Sequence, residues 1–376
     1  MTDKTKLVAI SRTDDMSALD ALKLLRFRRY NTARSQLRVT SVWSAWCARH
    51  GLTPFPVTAV DVERYINGLN GSVKMATISH FIACLSSVNS SLGFPDFRNV
   101  LIKALVQVWR ENEKKIVTGQ ALPFLISDLN ILRRSLHKSD DLRDIRDLAM
   151  IWVGFETLLR NVEIRRIKTG DLKWQNDTSC YLLDVMRTKT SLSSNLTFQL
   201  SPQCSQHVRR LIETVEYTDT ETFGHRFLFQ PVNIHTNRYF PSTSSKLSRG
   251  KSIDRMLVKA GFSEGLLTQL QNESKVSRED VGMLSSNSLN QAFARLWEIA
   301  GKVGDSNRQS GRYRTWTGHS VRVGGAIELF KAGYSLEKIT EMGNWSDPKM
   351  VFRYIRGYLA SEKAMVSFMR NHLDDL

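Results

Sequence analysis

The chain has 376 residues, 41% of them hydrophobic and 24% charged, which is enough apolar content to bury cores in two or three domains and too much for a disordered tail. Fifty-three lysines and arginines against thirty-seven aspartates and glutamates leave a formal charge of +16, a balance that points to a polyanionic partner, nucleic acid first. There is no apolar run of the roughly 18 residues a membrane span needs and no apolar export segment near the start, and Cys47, Cys84, Cys180 and Cys204 form no CxxC pair, which argues against a zinc knuckle or disulfide framework and suits a reducing cytoplasm.

Residues 1–18 are polar and are expected to form a flexible N-terminal segment. From 19 to 113 the pattern is helical. Val39, Val42, Trp43, Trp46 and Cys47 recur at i, i+3, i+4, i+7 and i+8, and Gly51 supplies a stop. Thr58 opens a short helix through Val62, Tyr65 and Ile66. A third stripe runs from Ile78 through Ile82, Leu85 and Val88 to Gly93, and a fourth passes through Val100, Leu101, Leu105 and Val108. Residues 114–123, polar, with Gly119 and closed by Pro123, read as a linker. In the second domain, 124–376, Ser127 or Asp128 caps a helix through Leu129, Leu132 and Leu136, and a longer buried helix covers about 141–159. Strand signals sit together: 181–186 and 196–200 flank the polar Thr188-Lys189-Thr190-Ser191, which predicts a β-hairpin. Beyond 205 the chain is helical again, with polar loops near 218–225, 235–250 and 303–312. The fold class expected is mostly α with a small β-hairpin or sheet, in two domains.

Phosphodiester exchange without a metal needs a nucleophile that can hold phosphate covalently, cations for the charge of the pentavalent state, and an acid for the leaving oxygen. The C-terminal third supplies candidates. His319 and Arg322, three apart in Gly318-His319-Ser320-Val321-Arg322, would share a helix face. Trp345 follows in Gly343-Asn344-Trp345, and Tyr354 in Phe352-Arg353-Tyr354-Ile355-Arg356. Upstream, Arg160 stands among apolar residues at the end of a buried helix, where an arginine is costly unless paired or given an anion. A purely structural ion pair with Glu163 is the plainer alternative. No P-loop, HExxH or metal-patterned carboxylate cluster occurs.

The order Arg160, Lys189, His319-x-x-Arg322, Trp345, Tyr354 resembles the active-site constellation of the tyrosine recombinases, the phage integrase family. Further similarity lies in Thr157-Leu158-Leu159-Arg160 with Glu163-Ile164, in Arg187-Thr188-Lys189-Thr190, in Val321-Arg322-Val323-Gly324, and in Val42-Trp43-Ser44-Ala45-Trp46-Cys47 of the first domain; it covers about residues 33–376. The resemblance implies a two-domain DNA clamp, with a helical core-binding domain at 19–113, a catalytic domain at 124–376 and a subunit-exchange helix at about 361–373. It implies that Tyr354 attacks the scissile phosphate to form a 3′-phosphotyrosine. Arg160, Arg322 and the Trp345 indole would hold the non-bridging oxygens, Lys189 would protonate the 5′ oxygen, and His319 would take the tyrosine proton or bond the phosphate. Glu163 would orient its neighbours. No metal and no cofactor is implied. The partners implied are double-stranded DNA sites with inverted-repeat arms around a spacer, bound by a homotetramer that passes through a Holliday junction, in a cytoplasmic, nucleoid-associated bacterial, plasmid or phage setting.

By position in the family, the helix near Met75 with Ala76, Thr77, Ser79 and His80, preceded by Lys74, would read one groove. The helix near Ser286 with Asn287, Ser288, Gln291 and Arg295 would read another. The segment 245–285 is longer than in the relatives it resembles, and one extra residue lies between Tyr354 and Ser361. Tyr358, one helical turn on, is a rival nucleophile. Two other functions fit the same residues: a type IB topoisomerase or telomere resolvase, and an inactive DNA-binding relative.

Overall fold

A computed structural model describes residues 30–69, 73–112, 120–185, 196–240, 282–302 and 314–361. These fall into two compact units, residues 30–112 and residues 120–361. The expected N-terminal segment, most of the linker, the hairpin tip with Lys189, nearly all of 245–285 and the last helix beyond Ser361 lie outside the described residues.

The first unit is four helices: α1 (Tyr30–Arg49), α2 (Ala59–Asn67), α3 (Met75–Ser91) and α4 (Val100–Asn112). In α1, Leu37, Trp43, Trp46 and Cys47 are buried, and Gly51, at φ +68°, turns the chain out of the helix where an L side chain would be strained. Val42 is 46% exposed, so the apolar stripe is narrower than the sequence pattern suggests. Thr58 caps α2 by accepting from Asp61 N–H at 3.1 Å, which sets Val62 and Ile66 facing the core. Ile78, Ile82, Leu85 and Val88 all bury from α3. The fourth stripe needs correction: Val100 is 80% exposed, Leu101 and Val108 are exposed, Leu105 is partly buried, and Ile102 carries the contact with the core. An all-apolar run does not say which of its residues face inward. Buried Asn89 holds two loops together, accepting from Val57 N–H at 3.0 Å and donating to Pro95 O at 2.7 Å.

The second unit is built on α6 (Leu142–Thr157), buried along nearly all its length and capped by Asp141, which accepts from Arg143 N–H at 2.7 Å. Against it pack α5 (Ile126–Leu136) and α8 (Pro202–Thr214), then α10 (Ser286–Ile299) and α11 (Ser320–Lys331). Between lie the one-turn α7 (Asn161–Ile164) and α9 (Thr220–Phe223), with α12 (Leu336–Met342) and α13 (Pro348–Ser361) at the end. Helix α5 begins at Ile126, so neither Ser127 nor Asp128 is its cap. Asp128 acts from the first turn instead, accepting from Leu125 N–H at 2.9 Å. The two expected strands pair antiparallel as β2 (Cys180–Val185) and β3 (Leu196–Gln199), and β1 (Leu172–Gln175) adds a third in the order β1-β2-β3, with Leu172 opposite Leu183 and Leu183 opposite Phe198. A two-residue pair, β4 (Val232–Asn233) and β5 (Arg238–Tyr239), completes the described residues' sheet content.

Candidate active site

Helix α6 ends on Leu158, whose left-handed φ of 52° reverses the chain and turns Leu158 O back toward α11. Two residues later Arg160 caps α7. Glu163, buried, accepts from the Arg160 backbone N–H at 2.7 Å and from Arg160 Nη1 at 3.1 Å, so one carboxylate fixes both ends of that arginine. Arg160 Nη2 donates to Asn344 O at 3.0 Å. The side chain stays 31% exposed, so it is not the buried arginine that the sequence suggested.

The buried cation is Arg322, in the first turn of α11 and 3% exposed. It donates through Nη1 to Leu158 O and through Nη2 to Gly343 O at 2.9 Å. Its guanidinium lies 4.3 Å from the Trp345 ring centroid. Burial, followed by repulsion from Arg160, pushes its pKa down to about 10, so it remains charged at neutral pH while its charge is held at a cost. No carboxylate pairs directly with it among the described residues.

His319 caps α11, and its ring centroid stands 5.3 Å from that of Tyr354, edge to face. Desolvation, then the charges of Arg322 and Arg160, hold the imidazole below its ordinary pKa. Trp345 follows the left-handed Asn344, at φ 49°, and packs 5.7 Å from the Tyr354 ring. Its indole N–H is buried and has no hydrogen-bond partner among the described residues. Tyr354 sits on the buried face of α13 among Leu158, Val323, Ala326, Val351 and Ile355, with its backbone carbonyl bonded to Gln120 Nε2 at 3.2 Å. Tyr358 packs away from this group, against Phe330 and beneath Lys331 at the far end of α11.

Arg160, Glu163, His319, Arg322, Trp345 and Tyr354 are therefore brought together; Lys189 lies outside the described residues. Among the expected DNA readers, Lys74, Ala76 and Thr77 are exposed at the start of α3 and Ser79 is half-buried. His80 is already engaged, its Nε2 2.6 Å from Ser35 Oγ. On α10, Asn287 and Gln291 are exposed and Ser288 completes the cap, its N–H donating to Ser285 Oγ at 3.0 Å. The expectation for Arg295 is corrected. All three guanidinium nitrogens donate inside the protein: Nη1 to Asp144 at 2.5 Å, with Nε and Nη2 to buried Asp147 at 3.2 and 2.8 Å. Such a group anchors α10 on α6, and its two ion pairs hold the guanidinium inside the unit instead of presenting it to a base. The sequence reading missed the carbonyls of Leu158, Gly343 and Asn344 as ligands of the arginines, since any residue type supplies a carbonyl. It also missed Asn290, which accepts from Gly318 N–H at 3.0 Å.

Comparison with known proteins agrees with this geometry. The model of the phage integrase family matches residues 130–359, more than half of the chain and the whole of the residue group just described. The chain belongs to the phage integrase family. Members are tyrosine recombinases, an enzyme class of DNA strand transferases. The recombinase Cre of Escherichia phage P1 is 28% identical over 346 residues, which is 91% of this chain and 88% of Cre. An integrase/recombinase XerD homologue of Selenomonas ruminantium is 26% identical over 171 residues, 44% of this chain and 50% of its own length. Among solved structures, XerH site-specific recombinase in a post-cleavage complex with palindromic difH substrate superposes with a TM-score of 0.52 at 12% identity, over 98% of each chain. The Tn1549 transposon integrase with transposon right end DNA does so with 0.52 at 14% identity, over 89% of this chain and 92% of that one. At that identity these likenesses speak for the fold of the phage integrase family alone. Among the described residues no helix is long and apolar enough to cross a membrane, and no group of three or more His, Cys, Asp or Glu could hold a metal ion.

Proposed function

We propose that this chain is a site-specific DNA recombinase that cleaves and rejoins duplex DNA through a 3′-phosphotyrosine on Tyr354. The observation that carries the reading is a concentration of unmet anion-binding capacity beside one phenol. Among the described residues Arg322 is buried and charged with carbonyls as its hydrogen-bond acceptors, and the buried Trp345 N–H has no hydrogen-bond partner. A phosphate oxygen supplies what both lack: a charged acceptor for the indole and a counter-charge for the guanidinium. His319, below its ordinary pKa, is neutral at pH 7 and so can accept the phenol proton. The phenolate oxygen of Tyr354 attacks phosphorus, the bond to the 5′ oxygen breaks, and a proton from Lys189 completes the leaving hydroxyl. The phosphotyrosyl ester keeps the energy of the broken bond, so religation to a second strand needs no nucleotide.

The position of Tyr358 supports Tyr354 as nucleophile. His319, the cap of the twelve-residue α11, and Lys331, its last residue, stand about 18 Å apart at 1.5 Å per residue, and Tyr358 is at the Lys331 end. The reading extends to two DNA sites with inverted-repeat arms, joined through a Holliday junction by a homotetramer in which residues 361–373 pass to a neighbour, in the cytoplasm of a bacterial, plasmid or phage host. An inactive DNA-binding relative is disfavoured because nothing would maintain a buried, uncompensated arginine at a cost to stability.

The test mixes the full chain, with chelator and without ATP, with duplexes from the DNA flanking its own gene and with a randomised pool. Wild type and Tyr358→Phe should form an adduct stable to SDS, Tyr354→Phe should form none, and two copies of a selected duplex should give recombinant joints. Adduct with relaxation of supercoils and no joints would move the reading to a topoisomerase. Adduct formation by Tyr354→Phe would exclude Tyr354.

A further inference from the structure

The residue group around Tyr354 is tied to α10 through one side chain. Asn290 is half-buried on that helix, and its Oδ1 accepts from Gly318 N–H at 3.0 Å and lies 3.5 Å from Asn161 Nδ2. Gly318 precedes His319, and Asn161 follows Arg160. Asn161 Oδ1 in turn accepts from Arg165 Nε at 2.7 Å, and Arg165 Nη1 donates to Leu284 O at 2.8 Å, one residue before the Ser285 cap of α10. The packing here is tight. A Cβ at position 318 would lie 2.7 Å from Asn161 Nδ2, 2.9 Å from Asn161 Cβ and 3.0 Å from Leu289 Cδ2, so only glycine lets α7, α10 and this peptide approach so closely.

Helix α10 is also stiffly mounted. Arg295 holds it to Asp144 and Asp147 on α6, and Lys302, just past its end, pairs with Asp128 at 2.6 Å. Its exposed Asn287 and Gln291 flank Asn290, one a helical turn earlier and the other adjacent. Helix α10 is thus fixed to α6, the helix that leads into Arg160, and Asn290 is the side chain through which a load on its exposed face reaches Gly318 and Asn161. From there it reaches the Gly318 backbone just before His319, which would take the proton, and the Asn161 side chain just after Arg160, which would hold the phosphate.

We infer that Asn290 is a positioning residue that couples the seating of α10 on DNA to the alignment of Arg160 and His319. Sequence recognition by α10 is then expressed in the rate of cleavage and not only in affinity. This rests on the recombinase reading above. The physical basis is that catalytic groups tolerate little displacement: a shift of about 1 Å costs on the order of a hundredfold in rate.

The experiment uses the full chain and the duplex that wild type selects from the randomised pool by covalent capture. Single-turnover adduct formation at saturating protein and Kd by gel shift are measured for wild type, Asn290→Ala, Asn290→Asp, Asn290→Leu, Asn161→Ala and the double alanine variant. Asn290→Ala should cleave roughly 10- to 100-fold more slowly with Kd within about threefold of wild type. Asn290→Asp keeps both the volume and the acceptor for Gly318 N–H and should cleave within about threefold of wild type, whereas Asn290→Leu, of similar volume but without the acceptor, should be as slow as the alanine variant. The double variant should be no slower than the slower single one, because both changes cut the same path. Should Asn290→Ala fail to fold, Asn161→Ala, which leaves the Gly318 bond in place, carries the comparison of rate with Kd. A wild-type cleavage rate in Asn290→Ala, or an Asn290→Asp as slow as the alanine variant, overturns the inference and leaves the recombinase reading intact. No adduct from wild type on any duplex removes that reading, and the inference with it.

Discussion

Trp345→Phe separates packing from chemistry. The indole lies 4.3 Å from the Arg322 guanidinium and 5.7 Å from the Tyr354 ring, and a phenyl ring keeps both contacts in kind. What it removes is the pyrrole edge with its buried, unpartnered N–H. The small cavity left behind should destabilise the fold by about 1–2 kcal/mol. Losing an unsatisfied buried donor should return about 1–3 kcal/mol. The terms nearly cancel, so stability measured by urea unfolding should stay within about 1 kcal/mol of wild type. Cleavage is different, because there the N–H meets a charged oxygen. A hydrogen bond to a charged acceptor is worth about 1.5–3 kcal/mol, or roughly 10- to 150-fold in rate. Single-turnover adduct formation at saturating protein should fall by that factor with Kd little changed. A rate within threefold of wild type would refute the assignment of this N–H to the phosphate, as would a stability loss above about 3 kcal/mol that accounted for the whole effect.

Three further outcomes are expected. His319 has its folded pKa depressed, so the unfolded chain takes up that proton first as pH falls; its contribution to stability is complete above about pH 6.5 and is lost from there down through the folded value. An NMR titration of the free protein should place the His319 midpoint below about 6.5, and a midpoint at or above it would refute the argument from the two arginines. Arg295→Ala leaves buried Asp147 with Arg146 alone and should lower stability by about 3 kcal/mol in urea unfolding, whereas Gln291→Ala should change it by less than about 0.5 kcal/mol and alter which duplex is selected from a random pool. Asn89→Ala strands Val57 N–H and Pro95 O in the first unit and should cost about 2–4 kcal/mol by calorimetry with no change in cleavage per folded molecule.

What was legible in the sequence followed from side chains whose type is itself the message. Thr58 before Val62 and Ile66, Gly51 after Cys47, and the spacing of Ile78, Ile82, Leu85 and Val88 each state a local physical preference that the fold keeps. The order of Arg160, His319, Arg322, Trp345 and Tyr354 was legible only as a resemblance to the tyrosine recombinases, and no local preference of these residues foretold their meeting. The four-residue β1 was not, because Leu172-Lys173-Trp174-Gln175 is too short for its alternation to stand out, and it becomes a strand by pairing with Cys180–Val185. Nor was the burial of the two arginines. Apolar neighbours in sequence suggested Arg160, yet Arg322 is the one enclosed, because α6, α11 and α12 meet around it in space. For Arg295, a position on the expected reading helix said nothing of Asp144 and Asp147, about 150 residues earlier in the chain.

The partners of Arg322 have a consequence for the balance of charge. Leu158 O and Gly343 O lie at the C-terminal ends of α6 and α12, where helix dipoles place partial negative charge. Dipoles orient a cation without discharging it, whereas Glu163 does discharge Arg160. With His319 neutral, Arg160, Glu163 and Arg322 together present one net positive charge, the same size as that of a phosphodiester and opposite in sign. The substrate is matched in its resting form, and the second negative charge of the pentavalent state is not. On the proposed chemistry, that increment falls to neutral donors such as the Trp345 N–H and to a cation brought from outside this group. On that chemistry, a chain that lost only Lys189 would bind its site at full strength and stall at the step where the added charge appears.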